Sequence, residues 1–315
     1  MKAIFWNQQE QRIKSGWRAI IFFFVYIAFL SIAVLIRIAA GRTIVTTFVA
    51  IFTTFAATAA ALWFVSRFVD HRNYQEFGLN FDRKWWQDLI VGFLICATVF
   101  IIVFAIEYAL GWVTVTQLLK NEKDVLVNFP FVAAFLIALL AHTGAVLLEE
   151  VYFRGYLIKN LAEGFNSRRA NSRTAVVFAF TASSILFAVV HVRNPNISLL
   201  GIVNLFVLGL FFGLPYLLTG EIALSISLHA SWNFCMGVVF GFPISGTTED
   251  VAVIATQQSG PVLWTGSKFG PEDGLIGLFA MLVGCALTLL WIRLSRRRLS
   301  LRTRLAEYTQ SNPPD

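Results

Sequence analysis

Three groups of polar residues interrupt otherwise apolar stretches of this 315-residue chain, each at helix-turn spacing. The first is Glu149-Glu150-Val151-Tyr152-Phe153-Arg154. On a helix Glu150 and Arg154 stand at i and i+4, with the carboxylate on the favourable amino-terminal side. Glu149 points about 100° away from its neighbour and has no such partner. One carboxylate is then held by a guanidinium while the other faces a cavity, a division that suits a general base beside a structural ion pair. The plainer reading is a charged helix end emerging into lipid headgroups.

The second group is Phe187-Ala188-Val189-Val190-His191. If two helices turn near Arg168, Glu149 lies roughly 28 Å and His191 roughly 34 Å from that turn at 1.5 Å per residue. A carboxylate and an imidazole at matching height can hold and deprotonate a water. Alternatively, His191 simply ends a helix before Arg193-Asn194-Pro195. The third group is His229-Ala230-Ser231-Trp232-Asn233, with Ser225 one turn earlier on the same face. Two donors at adjacent turns can stabilise one developing negative charge, or serve as polar contacts between helices. His142 precedes Glu149 by two turns and is expected to line the same cavity. Glu107 stands alone and reads as an interfacial residue, and His71 as a surface one.

The elements that must position these groups are membrane helices. Hydrophobic residues make up 57% of the chain and charged ones only 14%, well below the roughly 25% of a soluble domain. Apolar runs long enough for the ~30 Å hydrocarbon layer occupy 19–36, 43–66, 89–106, 125–148, 197–220, 222–248 and 274–292, with a shorter one at 174–190 closed by His191. The expected fold is all-α, a single polytopic membrane domain over 1–315 with about eight spans and the site inside the bundle. The motif-bearing core is about 125–245 and a basic cytoplasmic tail covers 293–315. Arg37 and Arg42 follow the first run where a cleavage site would need small residues, so it is read as a retained helix. Trp85 and Trp86 read as interfacial anchors, and 241–273 as an irregular outer loop. No internal repeat of the transporter kind is detected.

The net charge of +7 is distributed as the positive-inside rule requires rather than as a nucleic-acid surface. With eight spans and an inner amino terminus, eighteen basic residues fall inside, among them Arg12, Arg18, Arg72, Lys159, Arg168, Arg169 and the run from Arg293 to Arg304. Six fall outside: Arg37, Arg42, Lys120, Lys123, Arg193 and Lys268. The stretch 296–304 is expected to lie along anionic lipid. Cys96, Cys235 and Cys285 all lie within spans and form no metal-binding spacing.

Glu149-Glu150-x-x-x-Arg154, Phe187-x-x-x-His191 and His229-x-x-x-Asn233, in this order on separate spans, resemble the CPBP family of intramembrane proteases. That family takes in type II CAAX prenyl proteases and Abi-like, bacteriocin-processing proteins. The resemblance covers roughly 129–241. It implies a glutamate protease in which Glu149 and His191 activate water, His229 and Asn233 stabilise the oxyanion, and Glu150 and Arg154 shape the site. It also implies a peptide or membrane-protein substrate, in some members lipidated, and no cofactor. Two other readings stay open: a zinc protease using Glu149, His191 and His229 as ligands, and a proton-coupled transporter or scaffold using the same residues as a relay. A bacterial inner membrane with both termini cytoplasmic is the expected location.

Overall fold

The computed structural model describes residues 2–8, 10–41, 43–122, 127–167 and 170–308. The expectations placed on Arg42, Lys123, Arg168, Arg169, the start of the 125–148 run and the tail beyond 308 lie outside the described residues.

Eight principal helices follow one another: α1 (Ser15–Ala40), α2 (Ile44–Val65), α3 (Arg83–Ala109), α4 (Phe131–Glu150), α5 (Ser172–Val190), α6 (Leu199–Thr219), α7 (Ala223–Asn233) and α8 (Leu275–Arg296). Three of them continue into wider turns with i→i+5 hydrogen bonding: α2 through Ser66–Asp70, α4 through Val151–Ile158 and α7 through Phe234–Val239. The α4 rod then runs on to Phe165. Seven of the eight are long and apolar enough to cross a membrane, and the chain is an all-α integral membrane protein.

The eighth run differs from its expected extent. It is helical only over Ala223–Val239, because Gly241 takes a left-handed φ of 64° and Pro243 has no N–H to continue the ladder. At Gly241 a side chain would meet the Ile254 carbonyl oxygen at 2.5 Å, so the chain turns there against a strand. Its shortness fits its place. Nearly every residue of α7 is buried, packed against α3, α4 and α6, and a helix apolar on all sides belongs inside a bundle. At Gly92 a side chain would strike Ser227 at 2.8 Å, so α3 and α7 pack in close contact.

The connections sort onto two ends, as eight traverses require. At one end the Ile222 N–H donates to the Gly78 carbonyl at 3.1 Å and the Arg302 N–H to Leu217 at 2.9 Å, and Asn80 donates to Glu221 at 2.5 Å. The amino-terminal segment is tied to the same end by buried charges. Arg12 and Arg72 reach Glu163 at 2.7 and 2.8 Å, Arg18 reaches Asp70 at 3.0 Å, and the Tyr156 hydroxyl donates to Asp70. The described part of the tail does not simply follow the lipid surface. Leu305 and Ala306 are buried, Lys159 donates to the Glu307 carbonyl at 3.0 Å, and Arg296 pairs with Asp88 at 2.6 Å. Trp85 also departs from the anchor role, being buried with its indole N–H on the Gly78 carbonyl at 3.0 Å. Trp86 stays exposed.

At the other end β1 (Val113–Asn121) pairs antiparallel with β2 (Val251–Gln258), with an irregularity between Val115 and Gln117. The region 241–273 is therefore not an irregular loop throughout. The β-branched Val113-Thr114-Val115-Thr116 and Val251-Ala252-Val253-Ile254 stretches suit a pleated pair, a signal masked by the Gly, Ser and acidic residues around them. Glu107 is not interfacial but buried, accepting from the Gln258 amide at 2.9 and 3.1 Å.

Because α8 runs between them, single cysteines at the exposed Ser267 and Ser300 are expected to label from opposite faces of the membrane. Labelling of both by an impermeant reagent from one face contradicts this arrangement.

Candidate active site

The long α4 rod carries both glutamates to the depth where α5, α6 and α7 meet. At Glu150 its hydrogen bonding shifts to the wider i→i+5 pattern, and α7 makes the same shift immediately after Asn233. Such wide turns inside α-helices recur at functional sites. Here two of them start beside candidate residues on facing helices.

Glu150 is fully buried. Its Oε1 meets Arg154 Nη1 at 3.0 Å, the i, i+4 pair anticipated above. The same oxygen accepts from His229 Nδ1 at 2.7 Å, a contact that spacing could not reveal because it joins α4 to α7. Arg154 is held further by the Gly209 carbonyl on α6 at 3.4 Å, and its guanidinium lies 4.5 Å from the Phe187 ring centroid. At Gly209 a side chain would meet the Ser184 backbone at 3.1 Å, so glycine lets α6 approach α5 and present that carbonyl.

Glu149 has the opposite character. Its side chain keeps 30% of its exposure, and its Oε2 lies 3.9 Å from His229 Nε2 with no hydrogen-bond partner. It opens onto a cavity of about 520 Å³ whose wall also includes Tyr26, Tyr152, Phe153, His191 and Asn194. Thus Glu149 and His191 do come to one cavity from α4 and the end of α5. The His191 Nδ1–H donates to the Phe187 carbonyl at 2.7 Å, which leaves Nε2 as an acceptor. The Phe187 ring stands between the two histidines, 4.7 Å from His191 and 5.7 Å from His229, and Phe212 stacks on His229 at 4.4 Å.

Asn233 is half-buried one turn beyond His229, and its side chain has no hydrogen bond among the described residues. The Ser225 hydroxyl is buried without a partner. His142 does not reach the Glu149 cavity and instead faces Glu249 at 3.4 Å. A second cavity, about 580 Å³, lies along the Thr143, Leu147 and Val151 stripe of α4 and is lined by no carboxylate or histidine.

Residues outside the three motifs also bear on the site. Glu272, between β2 and α8, accepts from the Trp232 indole at 3.0 Å and from the Ser245 backbone and hydroxyl at 3.0 and 2.9 Å. Burial pushes its carboxyl up, against the opposing pull of the Ser245 and Trp232 hydrogen bonds. Trp232 sits between His229 and Asn233 in sequence, so Glu272 ties the outer segment to α7 beside both residues. Nothing in the sequence near Glu272 marks it, since its partners are distant along the chain. Among the described residues, no three His, Cys, Asp or Glu side chains converge as a set of metal ligands.

One segment of the chain is similar to a known family. Residues 130–235 match the family model described as Type II CAAX prenyl endopeptidase Rce1-like. No curated protein and no solved structure matches the chain. The matched segment contains all three motifs, and its similarity to a family of endopeptidases supports a peptide hydrolase.

The shared contact at Glu150 generates a sharp expectation. Glu150→Gln leaves Arg154 buried without its countercharge and His229 with only a neutral amide oxygen to donate to, a loss of about 3–5 kcal/mol for a broken buried pair. Folding yield and thermal midpoint should fall together. Pairing it with Arg154→Met should restore the midpoint in part, and a midpoint unchanged in Glu150→Gln alone would contradict the structural role.

Proposed function

We propose that the chain cleaves a membrane-bound peptide by direct attack of a water held between Glu149 and His191. The observation that carries this reading is the contrast between neighbouring carboxylates. Glu150 is fully buried and committed to Arg154 and His229, whereas Glu149 keeps 30% of its side-chain exposure and lines a cavity shared with His191. Glu149 takes a proton from water as the oxygen attacks the scissile carbonyl, and a tetrahedral oxyanion forms. The proton then passes to the departing amine nitrogen as the C–N bond breaks, which returns Glu149 to its carboxylate form.

In this proposal His229 and Asn233 serve the oxyanion. Asn233 can donate through its amide without prior change. With Nδ1 donating to Glu150, His229 offers a second N–H from Nε2 only as an imidazolium, so its role is tied to an additional proton. Glu150 and Arg154 hold His229 in place rather than meeting substrate. We also propose a metal-free site. Among the described residues no three His, Cys, Asp or Glu side chains converge as a ligand set, and the chemistry drawn here needs only a carboxylate and an imidazole beside the water.

The substrate class to try first is a peptide with a prenylated CAAX tail, following the family's description. Unlipidated membrane peptides such as bacteriocin leaders are the second class. The basic residues of the inner loops support cytoplasmic termini, and short loops suit a bacterial inner membrane.

Purified protein should cleave a farnesylated CAAX reporter peptide, and Glu149→Gln should abolish cleavage with little change in thermal midpoint. Prolonged chelation should leave the rate unchanged. Full turnover in Glu149→Gln overturns the base assignment, and chelator inactivation reversed by zinc replaces it with a metalloprotease. Asn233→Ala should lower kcat by about 10²–10³-fold with little rise in KM, as loss of an oxyanion donor does. A destabilised Asn233→Ala with unimpaired kcat would instead make the residue an interhelical contact.

A further inference from the structure

The Glu149 cavity has one wall that the three motifs do not supply. It is formed by Phe22, Phe23 and Tyr26 of α1, a helix outside the matched segment and marked in the sequence only by hydropathy. Tyr26 is 5% exposed, yet its hydroxyl has no hydrogen-bond partner among the described residues. It lies within electrostatic reach of Glu149. The ring is packed away while the hydroxyl is reachable from the cavity that Tyr26 lines, so a molecule in the cavity can accept from it.

The other polar groups around the cavity narrow what that something is. Tyr152 is engaged with the Ala19 carbonyl at 3.5 Å, and Asn194 is half-buried three residues beyond His191, on the α5 side of the cavity. Glu149 presents an unpartnered carboxylate oxygen, and His191 presents Nε2 as an acceptor because Nδ1–H is spent on Phe187. Phe22, Phe23, Leu148, Phe153, Leu186 and Val190 are apolar. A water between Glu149 and His191 therefore finds two acceptors for its two protons. Its oxygen has two lone pairs, one of which must stay clear to attack. A donor is required to fix the other, and the Tyr26 hydroxyl, on the α1 wall of the same cavity and within reach of Glu149, supplies one.

We propose that the Tyr26 hydroxyl donates a hydrogen bond to the attacking water, so that α1 completes the water site formed by Glu149 and His191. This rests on the reading of Glu149 as the base. The phenol remains protonated throughout. It fixes the water's orientation while Glu149 takes the proton, and no bond to Tyr26 forms or breaks.

The test is Tyr26→Phe in the full-length protein, assayed on the farnesylated CAAX reporter beside wild type and Glu149→Gln. The ring and its packing remain, and the hydroxyl has no protein partner to lose, so the thermal midpoint should not move. We expect kcat to fall roughly tenfold, the worth of one neutral hydrogen bond, with KM unchanged. Wild-type kcat and KM in Tyr26→Phe, while Glu149→Gln is inactive, overturns the role of Tyr26 and leaves the base in place. A raised KM at unchanged kcat also overturns it, since the hydroxyl then binds peptide rather than water. Full activity in Glu149→Gln points to failure of the underlying base assignment instead.

Discussion

The structure depends most on one buried oxygen, Oε1 of Glu150, which is shared by Arg154 at 3.0 Å and His229 at 2.7 Å. A carboxylate taken out of water at this depth persists only with strong partners. Satisfying it draws together α4, which carries both glutamates and Arg154, and α7, which carries His229 and Asn233. Through Arg154 the contact extends to the Gly209 carbonyl on α6 and to the Phe187 ring on α5. Four helices are thus referenced to a single charge. Glu149, one residue earlier and about 100° away, is positioned by that anchor without being part of it.

The two ends of the bundle keep this centre in register. On one, Arg12, Arg18, Arg72, Asp70 and Glu163 join the amino-terminal segment to the far ends of α2 and α4, and Tyr308 packs on Arg12 at 3.4 Å. On the other, the two-stranded β1–β2 sheet and the segment around Glu272 close over α7, with the Trp232 indole as the link. In a bilayer the helix walls gain no hydrophobic drive toward one another. Polar and charged contacts at the ends and at the centre, with small residues such as Gly92 and Gly209 between, therefore carry much of the specificity of packing.

Much of this was legible in the sequence because the bilayer imposes length and composition on each span. Seven of the eight runs became long apolar helices, and the i, i+4 rule found the Glu150–Arg154 pair within one helix. Local spacing could not find contacts between helices. Glu150 with His229, His142 with Glu249 and Trp232 with Glu272 all join residues far apart in the chain, and no periodicity encodes them. The two-stranded sheet escaped for a related reason, since β1 and β2 lie in segments separated by four helices and neither reads as a strand without the other. Glu107 was misjudged because a lone carboxylate at a helix end gives no sign of a Gln258 waiting on a distant strand. Tyr26 was invisible among the aromatic residues of α1, where a hydroxyl that faces a cavity looks no different from one that faces lipid.

The central claim is that Glu149, open to a cavity beside the fully committed Glu150, acts as the base of a peptidase. The most direct measurement compares peptide termini in membranes of cells carrying the wild-type chain or Glu149→Gln at equal abundance. The account predicts a defined set of new carboxyl termini in wild-type membranes that vanish in the variant, while the uncut precursors accumulate. Identical sets of termini in the two membranes would contradict it.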